Sequence, residues 1–407
     1  MTEQIVQLPS GLTVAVESMA HTRTVSIGAF VRVGGRHDPA EYAGLAHFLE
    51  HLLFKGTATR SAIEISQTID RVGGDINAYT AKEYTAYYCR LPARHADVGI
   101  ELLGDLLTAP AIRAADVESE RHVILDEMAM DDESPDDVIH QAFAKAMFPG
   151  HALGWETAGE RVTVTAIDQQ TVRKWFANRY RTENTVVSIA GAVDSDDVID
   201  RIAKAFDSMP EGDGSIAAQP AGPMGSSMAL ADDTEQTHLL VGGRSLHRTD
   251  AGREALDVVN HVLGGGLSSR LFDEIRERRG LAYSVFSSSA SYEDVGAWSV
   301  YAGSMPEHAV EVASIVRYEL ARLIEGGITE DELAIAQGYL TGSYEMGLED
   351  SGARMSRMGG QLTLLGRLIG IEDQLDRWSA VSLDDTRQVI ERVYGAAAPI
   401  TVTLGPV

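Results

Sequence analysis

The chain has 407 residues, too many for one ordinary domain core, so two domains of about 200 residues each are expected. Hydrophobic residues make up 44% and charged residues 23%, a balance that excludes disorder over most of the length. A formal net charge of −26 argues against nucleic acid and against anionic membrane surfaces, since both call for a basic face.

Residues 5–8 and 12–16 read as strands around the turn Pro9-Ser10-Gly11, and alternation resumes over 24–33. Helices are predicted over about 41–54 and 61–72, the second stopped by Gly73-Gly74. Strands follow near 75–80 and 84–91, then helical patterns over 93–108 and 114–130, and a strand over 185–192. The sole cysteine, Cys89, lies in an apolar run and reads as a buried small hydrophobe; no intrachain disulfide is possible. The first residues carry no basic segment followed by an apolar stretch, and no apolar run is long enough to span a bilayer. The cytoplasm is therefore the expected location.

Residues 211–227 are rich in Gly, Pro, Ser and Ala without periodicity, and read as a linker between domains at 1–210 and 228–407. The second half echoes the first. Leu91-Pro92-Ala93-Arg94-His95-Ala96 resembles Met305-Pro306-Glu307-His308-Ala309, and Val172 to Tyr180 resembles Thr386 to Tyr394, both at an offset of 214. Two matches at one offset point to an internal duplication, and to an α+β domain built twice.

The chemistry lies in His47-Phe48-Leu49-Glu50-His51. On a helix, His47 and His51 are i and i+4 and project from one face, so their imidazoles can share a metal ion. Glu50 points near the same spot and is suited to take a proton from a water activated there, in the order found in inverzincins. A hydrolytic zinc site wants a third protein ligand and an open position. In the acidic helical stretch from Val117 to Met128, Glu120 and Glu127 are seven apart, two turns on one face, while Glu118, with Asp131 and Asp132, reads as a solvated acidic face; composition alone does not choose among these acids.

His47-x-x-Glu50-His51, with Glu127 76 positions beyond His51, resembles the pitrilysin and mitochondrial processing peptidase family over nearly the whole chain. It is closest to the short two-domain bacterial branch related to the processing peptidase β subunit. The resemblance implies two homologous α/β-sandwich domains, each an antiparallel-rich sheet with helices packed on it, in the LuxS/processing-peptidase-like metallohydrolase fold. It implies one zinc ion per chain held by His47, His51 and Glu127, with Glu50 as general base and Glu120 orienting a ligand. In the second half, Asp257-x-x-Asn260-His261 stands where the repeat would set the motif, so no metal is expected there. Arg276 and Tyr283 match the family's arginine–tyrosine pair that holds the substrate carbonyl. Gly264-Gly265-Gly266 lacks the Lys-Ser/Thr of a phosphate loop and reads as a turn. Asp75 to Thr80 resembles the family's edge strand, to which a peptide adds through backbone hydrogen bonds, making Asn77 and Ala78 substrate-contact candidates. The implied activity is a zinc metalloendopeptidase acting on unfolded peptides, as a homodimer. The alternative is a non-catalytic scaffold subunit, as in relatives that have lost the metal set.

Overall fold

Alternating apolar residues build the first sheet. In the computed structural model, which describes residues 3–406, β1 (Glu3–Gln7), β2 (Thr13–Ser18) and β3 (Thr24–Val31) precede helices α1 (Leu45–Leu53) and α2 (Ala62–Asp70). Then come β4 (Asp75–Thr80), β5 (Thr85–Pro92), α3 (Ala96–Thr108), α4 (Ala114–Asp132) and α5 (Pro135–Met147). Helices α6 (Arg161–Ala166) and α7 (Gln169–Arg179), strand β6 (Thr185–Gly191) and α8 (Ser195–Ala205) complete the first half. The sheet order is β1-β2-β6-β3-β5-β4, antiparallel except for the parallel pair β2 and β6, so β4 is a free edge. Val25, Ile27, Ala29 and Val31 alternate toward one face and meet Leu45, Phe48, Leu49 and Leu52 of α1 in one core. Cys89 is buried in that core, and burial pushes its thiol up.

The second half repeats this arrangement. After β7 (Met228–Ala231) come β8 (Thr237–Ser245), α9 (Arg253–Asn260), β9 (Ala282–Ser291), β10 (Gly296–Ser304) and α10 (Ala309–Gly326). Helices α11 (Glu330–Gly347), α12 (Ser351–Leu365), α13 (Ile371–Ser379) and α14 (Leu383–Val393) lead to β11 (Ile400–Gly405). The second sheet runs β7-β11-β8-β10-β9. Its β11-β8-β10-β9 order corresponds to β6-β3-β5-β4 of the first, antiparallel throughout, as a duplicated unit requires. The segments related by the offset of 214 fall on matching elements, α7 with α14 and the turns before α3 and α10.

The compact units depart from the contiguous halves 1–210 and 228–407. One unit comprises Met1–Met128, Trp155–Ala217 and Met346–Leu368; the other comprises Ala129–Gly154, Ala218–Glu345 and Ile369–Val407. The reason is packing. α12, from the second half of the sequence, lays Met355, Met358 and Leu362 against Phe30, Ala86 and Val186 of the first sheet. α5, from the first half, lays Ile139 and Phe143 against Leu240, Val402 and Leu404 of the second. Residues 211–227 form no helix or strand, and both units take part of that stretch. Among the described residues no helix is long and apolar enough to cross a membrane.

Candidate functional site

α1 is shorter at its start than its sequence pattern predicts. Gly44 takes φ +98°, and a Cβ there would collide with the carbonyl of Ala158, so the helix begins at Leu45 rather than near residue 41. Asp38 caps it from outside: Oδ2 accepts from the Gly44 N–H at 2.8 Å and Oδ1 from the Ala46 N–H at 3.0 Å. Burial pushes the Asp38 carboxyl up to about 8. Leu45, Ala46, Phe48, Leu49, Leu52 and Leu53 fill the core, which turns His47, Glu50 and His51 to the opposite stripe of the helix.

On that stripe His47 Nε2 and His51 Nε2 stand 3.3 Å apart. Glu127 Oε2, from α4, lies 4.0 Å from the first and 3.6 Å from the second. A point about 2.1 Å from all three atoms exists within this triangle, which matches the roughly 2.0–2.2 Å that zinc takes from imidazole and carboxylate donors. The donor set passes a second test of fit. Glu127 Oε2 and His47 Nδ1 are buried and have no hydrogen-bond partner, and an orphaned carboxylate oxygen aimed at two imidazoles suits a cation between them. Burial, and then His51, pull the His47 imidazole down to about 4, so the ring is neutral and its lone pair free at neutral pH. Among the described residues this is the one group of three or more His, Cys, Asp or Glu side chains that could hold a metal ion.

Glu120 is buried on the same face of α4, two turns before Glu127, and its Oε2 lies 3.4 Å from His51 Nδ1. Lys55 Nζ stands 2.5 Å from Glu120 Oε1, a charge contact rather than an aligned hydrogen bond. A carboxylate oxygen beside His51 Nδ1 favours the tautomer that carries its proton there and leaves Nε2 free. Glu50 is held by Thr80, whose hydroxyl donates to Oε2 at 2.5 Å. Burial raises the Glu50 carboxyl above its ordinary value, Thr80 and His51 work against that rise, and Glu127 adds to it.

The remaining sequence candidates fall as follows. Asn77 and Ala78 lie on β4 at the free sheet edge, with Asn77 Oδ1 accepting from the Ala78 N–H at 2.8 Å. Arg276 and Tyr283 meet in the other unit, the guanidinium 4.6 Å above the phenol ring, and Tyr283 is 79% exposed. His261 is stacked on Tyr339 instead of facing a carboxylate. Three supporting residues, Asp38, Lys55 and Thr80, escaped the sequence reading. Lys55 had a signal, since it follows His51 by four. Thr80 had none, because its contact depends on how β4 lies against α1.

Residues 13–161 match the family model described as Insulinase (Peptidase family M16), and residues 166–340 match the one described as Peptidase M16 inactive domain. An uncharacterized zinc protease of Streptomyces coelicolor is 41% identical over 411 residues, spanning 98% of this chain and 88% of the relative. The chain belongs to peptidase family M16. A second relative, an uncharacterized zinc protease of Bacillus subtilis, is 34% identical across 95% of this chain and 93% of its own. Among solved structures, a protease from Helicobacter pylori superposes with a TM-score of 0.91 at 24% identity, covering 100% of this chain and 99% of that one. A peptidase M16 inactive domain from Pseudomonas fluorescens gives 0.93 at 19% identity, covering 100% and 98%. At those identities the two structures show the M16 fold. His47, Glu50, His51, Glu120 and Glu127 all lie in the stretch matched by the Insulinase model, and Arg276 and Tyr283 in the stretch matched by the inactive-domain model.

Proposed function

We propose that this M16 chain is a zinc-dependent endopeptidase that cuts unfolded peptides or small polypeptides. The observation that carries the reading is the convergence of His47 Nε2, His51 Nε2 and Glu127 Oε2 beside the carboxylate of Glu50. Those three atoms would hold one zinc ion, which when bound supplies Lewis-acid polarisation of a water and of the scissile carbonyl. Glu120 and Lys55 keep His51 in its ligating orientation. Glu50 takes the proton of the attacking water on Oε1, since Oε2 is engaged by Thr80, and passes it to the leaving amide nitrogen.

The peptide itself would add to the free edge of β4 beside Asn77 and Ala78. Backbone pairing of that kind is largely blind to side chains, which suits an enzyme with many substrates. Arg276 and Tyr283 are assigned to hold the substrate carbonyl, a task for which a guanidinium and a phenol each offer donors. Because the ligand set and this pair lie on one chain, we assign the assembly as a homodimer rather than a pair of different subunits. Names of relatives as zinc proteases support the same activity.

The test is Glu50→Gln. With zinc content unchanged, kcat on an unfolded peptide should fall by about 10²–10⁴-fold. Cleavage by the variant at the parent rate would remove Glu50 as the base and favour a non-catalytic role.

A further inference from the structure

We infer that Thr80 is a positioning residue for Glu50, and that through it the peptide-docking strand and the general base are set by one element. The inference rests on the peptidase reading above. Successive residues of β4 alternate in side, and Ile76 and Ala78 pack against the core that holds α1. Thr80 is next on that face, and its Oγ1 donates to Glu50 Oε2 at 2.5 Å. No other hydrogen bond to the Glu50 side chain occurs among the described residues. A glutamate's terminal torsion is broad, so a carboxylate without this donor would sample many orientations. With Thr80 on Oε2, Oε1 is the oxygen left without a protein donor, and its direction is fixed by the hydroxyl.

Thr80 can set that direction because its own backbone is anchored. It is the last residue of β4, and the turn that follows is closed by the Ala81 N–H donating to the Tyr84 carbonyl at 2.8 Å. The loop before α1 clamps the same turn. The Gly35 N–H donates to the Ala81 carbonyl at 3.1 Å, and the Arg36 N–H to the Lys82 carbonyl at 2.7 Å. Arg36 and Glu83 add a buried ion pair at 2.6 Å. Residues 77–80 therefore present the free edge for a peptide with two residues and fix the base with the last. A shift of the strand would move scissile bond and base together, so their separation is preserved.

The experiment compares Thr80→Val, which keeps the β-branched shape and loses the hydroxyl, with Thr80→Ser, which keeps the hydroxyl. In zinc-loaded enzyme, Thr80→Val should lower kcat by roughly 10–100-fold, the scale of a misplaced catalytic group, with KM within about threefold of the parent. Thr80→Ser should stay within about threefold of the parent in both. Affinity for an uncleaved peptide, measured in a Glu50→Gln background, should not change on adding Thr80→Val, nor should zinc per chain. A loss confined to KM and peptide affinity would make Thr80 a docking contact and overturn the inference, as would an unchanged kcat. Should valine prevent folding, Thr80→Ala replaces it. A readout independent of catalysis is the carboxyl-carbon NMR signal of Glu50 in metal-free protein. It should move in Thr80→Val and hold its place in Thr80→Ser; a signal that moves in neither overturns the inference. If the parent cleaves no peptide, the peptidase reading fails, and the NMR signal still decides whether Thr80 fixes the carboxylate.

Discussion

Glu120 stands outside the candidate ligand set, yet both of its oxygens are engaged, one beside His51 and one beside Lys55. Glu120→Gln should weaken zinc binding by about 10–100-fold, the usual effect of losing a partner that orients a ligand. Lys55→Met should act in the same direction and less strongly, because Glu120 remains. Competition against a chelator of known affinity reads both, and unchanged affinity in Glu120→Gln would contradict the orienting role. The motif residues were legible because helical spacing alone turns His47, Glu50 and His51 to one stripe. Glu127 was not legible in that way. Several carboxylates on the same acidic helix met every criterion of composition, and only the family resemblance singled out one of them. Thr80 was hidden because strand-to-helix proximity leaves no mark in local sequence.

Among the elements, α12 shows how closely backbone and side chain can pack. It lies over the first sheet with Gly359 against the ring of Phe30, and a Cβ at that glycine would collide with the ring. Phe30 is only 1% exposed and has little room to turn. Gly359→Val should therefore cost about 1–3 kcal/mol, the range for overpacking a filled core. A lower thermal unfolding midpoint with zinc content per folded chain unchanged is the expected result; an unchanged midpoint would mean that α12 lifts away freely. Strand and helix existence was largely legible, and β4 runs over the residues its alternation indicates. The start of α1 was not, because a positive-φ glycine and a cap from Asp38, six residues upstream of Gly44, set it. Periodicity reports which residues face a core but carries no account of where the backbone must bend.

For the whole molecule, the duplication was legible and the exchange was not. The equivalent helices α5 and α12 each pack on the sheet of the other half, so each compact unit is built from both halves of the sequence. Pattern analysis finds an amphipathic helix and assigns it to its neighbours along the chain; nothing in its own residues says which sheet it covers. The exchange has a mechanical consequence. A single proteolytic cut within 211–217 should leave the two fragments together under native conditions, because Arg354 still pairs with Glu17 and the Ser188 hydroxyl still donates to the Met355 carbonyl at 2.7 Å. Sedimentation velocity should give the same coefficient before and after the cut, at twice the chain mass for the proposed homodimer. Fragments that separate without denaturant would contradict the interleaved units.

Everything functional depends on three ligand atoms meeting around one ion. Anomalous diffraction at the zinc edge, from crystals of the zinc-loaded chain, tests this directly. The account predicts one peak per chain, about 2.0–2.2 Å from His47 Nε2, His51 Nε2 and a Glu127 carboxylate oxygen. A peak elsewhere, or one that Glu127 does not reach, would contradict it.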